Sequence, residues 1–172
     1  MGSAGGIGSF LFHTLANRWS MLADVIPIAV FIHGYFGLAM VRFFGLPIGT
    51  AALATLAFAG LGFGLSPALD ALTGLDSAAR TNGSIDYLPA VLALLGVGLA
   101  LVPRSPAAGR ALLATGALFL VSLAFRTLDR QACAGLPLGT HFLWHGLNAL
   151  VLYRLLAVAT RLRGSVGPPA RA

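Results

Sequence analysis

The chain has 172 residues, of which 58% are hydrophobic and 9% charged, and eleven basic residues against five acidic ones give a formal net charge of +6. The basic residues are all Arg, the acids all Asp, and charge this sparse cannot clothe a water-exposed surface, whose usual share of charged residues is roughly 25%. A soluble domain, a disordered chain and a nucleic-acid binder are therefore poor readings, the Arg being scattered rather than gathered into a phosphate-binding stripe, and the single Cys133 excludes an internal disulfide framework or a CxxC site. The composition is that of an integral membrane protein.

A membrane helix needs about 20 apolar residues, so the length allows six or seven spans with short connections. In chain order, residues 2–16 are apolar and rich in small side chains, an incomplete span ahead of Asn17-Arg18. No basic residue precedes this stretch and no small-residue cleavage site follows it, which argues against a signal peptide. Gly6 stands where myristoylation requires Ser or Thr. Five full spans follow at 22–44, 48–65, 88–102, 107–125 and 138–159, the third short enough to begin earlier. Gly45-Leu46-Pro47, the polar stretch 66–86, Pro103-Arg104-Ser105-Pro106 and residues 126–137 are the linkers. None of the runs alternates apolar and polar residues as barrel strands do. Residues 1–160 make one transmembrane domain and 161–172 a tail.

Successive linkers alternate sides. One side receives Arg18, Arg80, Arg126 and Arg130 with all five Asp; the other receives Arg42, Arg104, Arg110, Arg161, Arg163 and Arg171, plus Arg154 by snorkelling. Topology follows Arg and largely ignores Asp. The Arg-rich side, with the C-terminus, is expected in the cytoplasm.

Ionisable residues inside spans are costly and point to function. His141 and His145 are spaced i, i+4, which on a helix puts both imidazoles on one face, as a shared metal ion requires. Alone, the pair reads equally well as two hydrogen-bonded His at a helix end. His13 lies near the same side of the membrane, and three His with one open position form the ligand pattern of a catalytic zinc site. Zinc lowers the pKa of its bound water to roughly 7. Asp24 suits a general base for that water and Ser9, one turn before His13, a donor to the oxyanion of an attacked carbonyl. The plainer alternatives are a Ser9 hydroxyl bonded one turn back and Asp24 as a helix-start charge. His33 reads as a packed, hydrogen-bonded His, and Trp144 and Tyr153 as packing or interfacial residues. Asp129 is either a hydrogen-bond partner of a ligand His or one half of a local pair with Arg130. Asn148 reads as a polar packing contact.

Ser9-x-x-x-His13, Asp24 eleven residues on, and His141-x-x-x-His145 in the last helix together resemble the alkaline ceramidase family. That family belongs to a superfamily of seven-helix membrane hydrolases with adiponectin-receptor-like and hemolysin-III-like branches. The strings Ser9-Phe10-Leu11-Phe12-His13-Thr14-Leu15 and Thr127-Leu128-Asp129-Arg130 are most similar to bacterial ceramidase-domain proteins. The resemblance touches both ends of the chain, and the middle spans match in hydrophobicity alone. It implies zinc-dependent hydrolysis of the amide bond of ceramide. On that match His13, His141 and His145 bind zinc, Asp24 activates water and Ser9 stabilises the oxyanion. Family members have a full helix before the Ser-x-x-x-His helix, and in the animal enzymes its start holds calcium. Here Met1 falls inside what would be the second helix, so no calcium ligands are assigned. The chain is read either as a six-helix remnant or as one whose start has been placed too late.

The expectation is an all-α, polytopic transmembrane bundle of about six helices, the seven-helix fold minus its first helix, in a bacterial inner membrane. Its metal site faces the non-cytoplasmic side and its substrate is ceramide or a related N-acyl lipid. One rival is a non-enzymatic receptor-like or hemolysin-III-like protein with a structural metal. Another is a transporter fragment, whose helices would break at mid-membrane, whereas the breaks here fall mostly between spans.

Overall fold

The computed structural model describes residues 17–133, 135–136 and 139–161, with the backbone alone of residues 18, 20, 21 and 24. Helix α1 (Arg18–Phe44) is followed by α2 (Ile48–Thr73), the short α3 (Ser77–Arg80) and a 3-10 turn (Ser84–Tyr87). Then come α4 (Leu88–Leu101), α5 (Pro106–Ala132) and α6 (His141–Arg161). Five stretches are long and apolar enough to cross a membrane: Val25–Phe44, Ile48–Thr73, Ser84–Leu101, Pro106–Ala132 and His141–Arg161. Large apolar side chains on them point outward, among them Leu53, Leu56, Leu61, Phe63, Leu92, Leu99 and Leu156. A water-soluble surface does not carry apolar area on that scale. The chain is an all-α, polytopic integral membrane protein.

The chain divides into two compact units, Met1–Leu56 and Ala57–Ala172, with the boundary inside α2. In the first unit, Gly45 ends α1 in the left-handed region, at φ 66°. Its N–H donates to the Val41 carbonyl at 3.1 Å and that of Leu46 to Met40 at 3.2 Å, closing the last turn. Pro47 then leads into α2. The two helices approach where a Cβ on Gly37 would sit 3.0 Å from Thr55 Oγ1. Ala39, Met40, Phe43 and Ala51 are buried in this unit.

In the second unit α5 packs against both α4 and α6. Small residues let α4 and α5 approach: a Cβ on Gly109 would lie 2.6 Å from the Val102 nitrogen, and one on Gly116 2.6 Å from Leu95 Cδ2. Between α5 and α6 the contact is partly polar. Ser122 Oγ donates to the Trp144 carbonyl at 3.2 Å, and Arg154 Nε to Thr115 Oγ1 at 3.3 Å. Such bonds suit a medium that offers no water to replace them.

The breaks at Gly45-Leu46-Pro47 and Pro103–Pro106 fall where the sequence puts them. Three other boundaries do not, and the first is the start of α1, at Arg18 rather than at residue 22. The span expected to stop at residue 65 continues to Thr73 through Pro67. Proline removes one N–H from a helix but its φ is already helical, and membrane helices tolerate it. The span expected to stop at residue 125 continues to Ala132. Its 27 residues reach about 40 Å at about 1.5 Å per residue, so polar residues from Arg126 onward lie past a hydrocarbon core of about 30 Å. The short third span does start earlier, through the 3-10 turn at Ser84–Tyr87.

The polar connection between α2 and α4 is tied down at both ends. Asp70 Oδ1 accepts from the Ser77 N–H at 2.8 Å, and Asp76 Oδ1 caps α3 by accepting from Ala79 N–H at 2.7 Å. Further on, Asn82 Nδ2 donates to the Arg126 carbonyl at 2.8 Å and Arg126 Nε returns a bond to the Asn82 carbonyl at 3.1 Å. Thr127 Oγ1 donates to Ser84 Oγ at 2.8 Å. These bonds pin the connection onto the last turns of α5.

Candidate functional site

The start of α6 and the end of α5 bring the chemistry-bearing residues of the second unit together. His141 is the first residue of α6 and His145 lies one turn on. Their ring centroids are 4.8 Å apart with the planes at 75°. Two imidazoles bound to one tetrahedral zinc at the usual metal–nitrogen distance have centroids about 5 Å apart. The ring separation is thus of the size that two imidazoles on one metal ion have. Neutral imidazole is also a donor that adds no negative charge to a low-dielectric site.

Asp129, in the last turn of α5, reaches across to His141. Its Oδ2 lies 3.7 Å from His141 Nδ1, and its carboxylate side chain is 16% exposed. Oδ1 accepts the Thr140 backbone N–H at 2.6 Å. Thr140 Oγ1 donates to the Phe125 carbonyl at 2.7 Å. A carboxylate beside the first N–H groups of α6 also meets the positive end of that helix dipole. Asp129 thus stands beside His141 at more than hydrogen-bond distance while bonding Thr140, and Arg130 sends Nη1 to the Ala79 carbonyl at 3.3 Å.

Behind the histidines sits an aromatic cluster. Trp144 is 2% exposed, and its ring lies 5.3 Å from Tyr87, 6.4 Å from Phe119 and 6.4 Å from His145, centroid to centroid. The Arg126 guanidinium lies over the Trp144 and Tyr87 rings, 4.9 Å and 5.5 Å from their centroids, a cation–π arrangement. Trp144 is thus the packing residue that the sequence suggests. Arg126 went unnoticed there, because only a fold that brings residue 87 beside residue 144 reveals what it holds. Tyr153 is 61% exposed and faces outward from α6. His33 donates Nδ1–H to the Ala29 carbonyl at 2.7 Å, in keeping with a hydrogen-bonded packing role. Cys133 is an exposed free thiol at the end of α5.

Ser9 and His13 lie outside the described residues, as does the tail from residue 162. Asp24 is helical, well inside α1 rather than at its opening, since α1 starts at Arg18. The helix-start alternative for Asp24 therefore falls away. Among the described residues no group of three or more His, Cys, Asp or Glu side chains converges to hold a metal. Of the three His that the sequence pattern names, His141 and His145 are the two among the described residues. Comparison with known protein families, with the curated proteins and with solved structures finds no match.

Proposed function

We propose that the protein is a zinc-dependent intramembrane hydrolase of the alkaline ceramidase type, cleaving the amide bond of ceramide or a related N-acyl lipid. The observation that carries this reading is the His141–His145 pair, with its 4.8 Å ring separation and a carboxylate 3.7 Å from His141 Nδ1. A spaced His pair backed by a carboxylate is the arrangement by which proteins orient metal-binding imidazole.

In this reading His13 completes the ligand set. Zinc, when bound, acidifies a water and polarises the carbonyl under attack. The chain's own residues do the rest. Asp24 takes the proton of the attacking water and returns one to the leaving nitrogen, and Ser9 donates to the carbonyl oxygen as it gains charge. Trp144, Tyr87 and Arg126 fix the backbone of α6 behind the histidines, so the two rings keep their spacing. The outward apolar faces of the helices suit a substrate that arrives from the bilayer. The proposed orientation places the C-terminus in the cytoplasm and the histidines toward the opposite face, on the asymmetry of Arg between the two sides.

The test is release of a sphingoid base from ceramide by detergent-purified protein, beside His141→Ala and His145→Ala. The reading expects turnover in the wild type and none in either variant. A wild type that binds zinc and cleaves neither ceramide nor other N-acyl lipids would leave a structural metal, as in a receptor-like or hemolysin-III-like protein.

A further inference from the structure

We propose that Asp129 is a positioning residue for His141, fixing the imidazole in the tautomer that carries its proton on Nδ1, with Gly139 holding the space this requires. The inference rests on the metal-site reading for its purpose, but its geometry stands on the second unit alone.

The carboxylate is held from one side by Thr140, whose backbone N–H donates to Oδ1 at 2.6 Å. Thr140 is itself anchored through the 2.7 Å bond from Oγ1 to the Phe125 carbonyl, one turn back on α5. From the other side the carboxylate abuts Gly139. A Cβ at that position would lie 2.5 Å from Asp129 Oδ1 and 2.8 Å from Cys133 Sγ, and the residue has φ +58°. The left-handed φ favours glycine there, and an added Cβ would push the Asp129 carboxylate out of its place. With Oδ1 fixed in this way, Oδ2 is the oxygen turned to His141 Nδ1, at 3.7 Å. That distance exceeds a direct hydrogen bond, yet a negative charge so placed favours the tautomer whose N–H points at it. Nε2 is then the nitrogen with the lone pair, the form a metal requires.

A purely structural role, as a cap on α6, is the competing account. The two separate at Asp129→Asn. Asparagine retains an oxygen to accept the Thr140 N–H, so the cap survives. It would turn an N–H₂ toward His141 Nδ1, which favours Nδ1 as acceptor and moves the ring proton to Nε2.

The experiment uses the full chain in detergent micelles, labelled with ¹⁵N-histidine and freed of metal, with a His141→Gln variant assigning the resonances. The expected result is Nδ1–H at His141 in the wild type and a shift toward Nε2–H in Asp129→Asn, with the thermal unfolding midpoint retained. Titration with Zn²⁺ should then show about 10–100-fold weaker binding in the variant. Asp129→Ala, which removes the charge outright, gives a second reading through the same resonances should the first variant not fold. A His141 tautomer unchanged by both substitutions would overturn the proposal. A wild type that takes up no Zn²⁺ while the tautomer shifts as expected would remove the metal reading and leave Asp129 in its positioning role.

Discussion

Asp24 and His141 make different demands on the sequence. The i, i+4 spacing of His141 and His145 is a statement about one helix face, and on that face their rings lie 4.8 Å apart. The neighbour of Asp129 was legible as one of two choices, because Asp129 is adjacent to Arg130 in sequence but reaches Thr140 and His141 only through the packing of α5 on α6. For Asp24 the hydropathy pattern suggested a helix opening, yet α1 starts at Arg18. A carboxylate within a helix, at the edge of the apolar stretch Val25–Phe44, requires a reason. In the proposed mechanism that reason is proton transfer rather than metal ligation. Asp24→Asn should therefore retain zinc and lower ceramide hydrolysis by about 10²–10⁴-fold, the usual worth of a general base. Loss of zinc in that variant, measured by elemental analysis, would make Asp24 a ligand instead.

At the scale of elements, apolar runs and Gly/Pro punctuation were enough to place every long helix among the described residues. Besides the start of α1, two helix ends differ. Pro67 looks like a stop but sits inside α2, and Arg126 looks like a loop residue but belongs to α5. Both have one cause: polar residues end the apolar part of a helix and not the helix itself. Arg126 stays helical while its guanidinium stacks on Tyr87 and Trp144. The α4–α5 contact is equally hidden from the sequence, since seven-residue spacing of Gly109 and Gly116 does not say which helix lies against them. Space decides it. Gly109→Val would drive a side chain into the backbone of Gly98 in α4 and of Val102 just past its end, destabilising the protein by about 1–3 kcal/mol. Gly96→Ala, with nothing within 4 Å of the added carbon, should leave the unfolding midpoint unchanged or raised. Equal midpoints for the two variants in a detergent melt would contradict the close approach of α4 and α5.

For the whole molecule, composition alone identified the solvent. A chain with 9% charged residues and outward-facing Leu and Phe on its long helices belongs in a bilayer. The direction of insertion rests on the uneven sharing of Arg between the two sides, which predicts a cytoplasmic C-terminus. A phosphatase fusion to the C-terminus should be inactive and a fluorescent-protein fusion bright; the reverse pattern would invert the topology and place the histidines on the cytoplasmic side.

If the histidines of α6 hold a metal for hydrolysis, as proposed, zinc should travel with the purified chain. Elemental analysis of detergent-purified wild type should give close to one zinc per chain, and His145→Ala should give almost none. A folded wild type without zinc, or a His145→Ala variant that retains it in full, would contradict the account and return His141 and His145 to packing at the end of a helix.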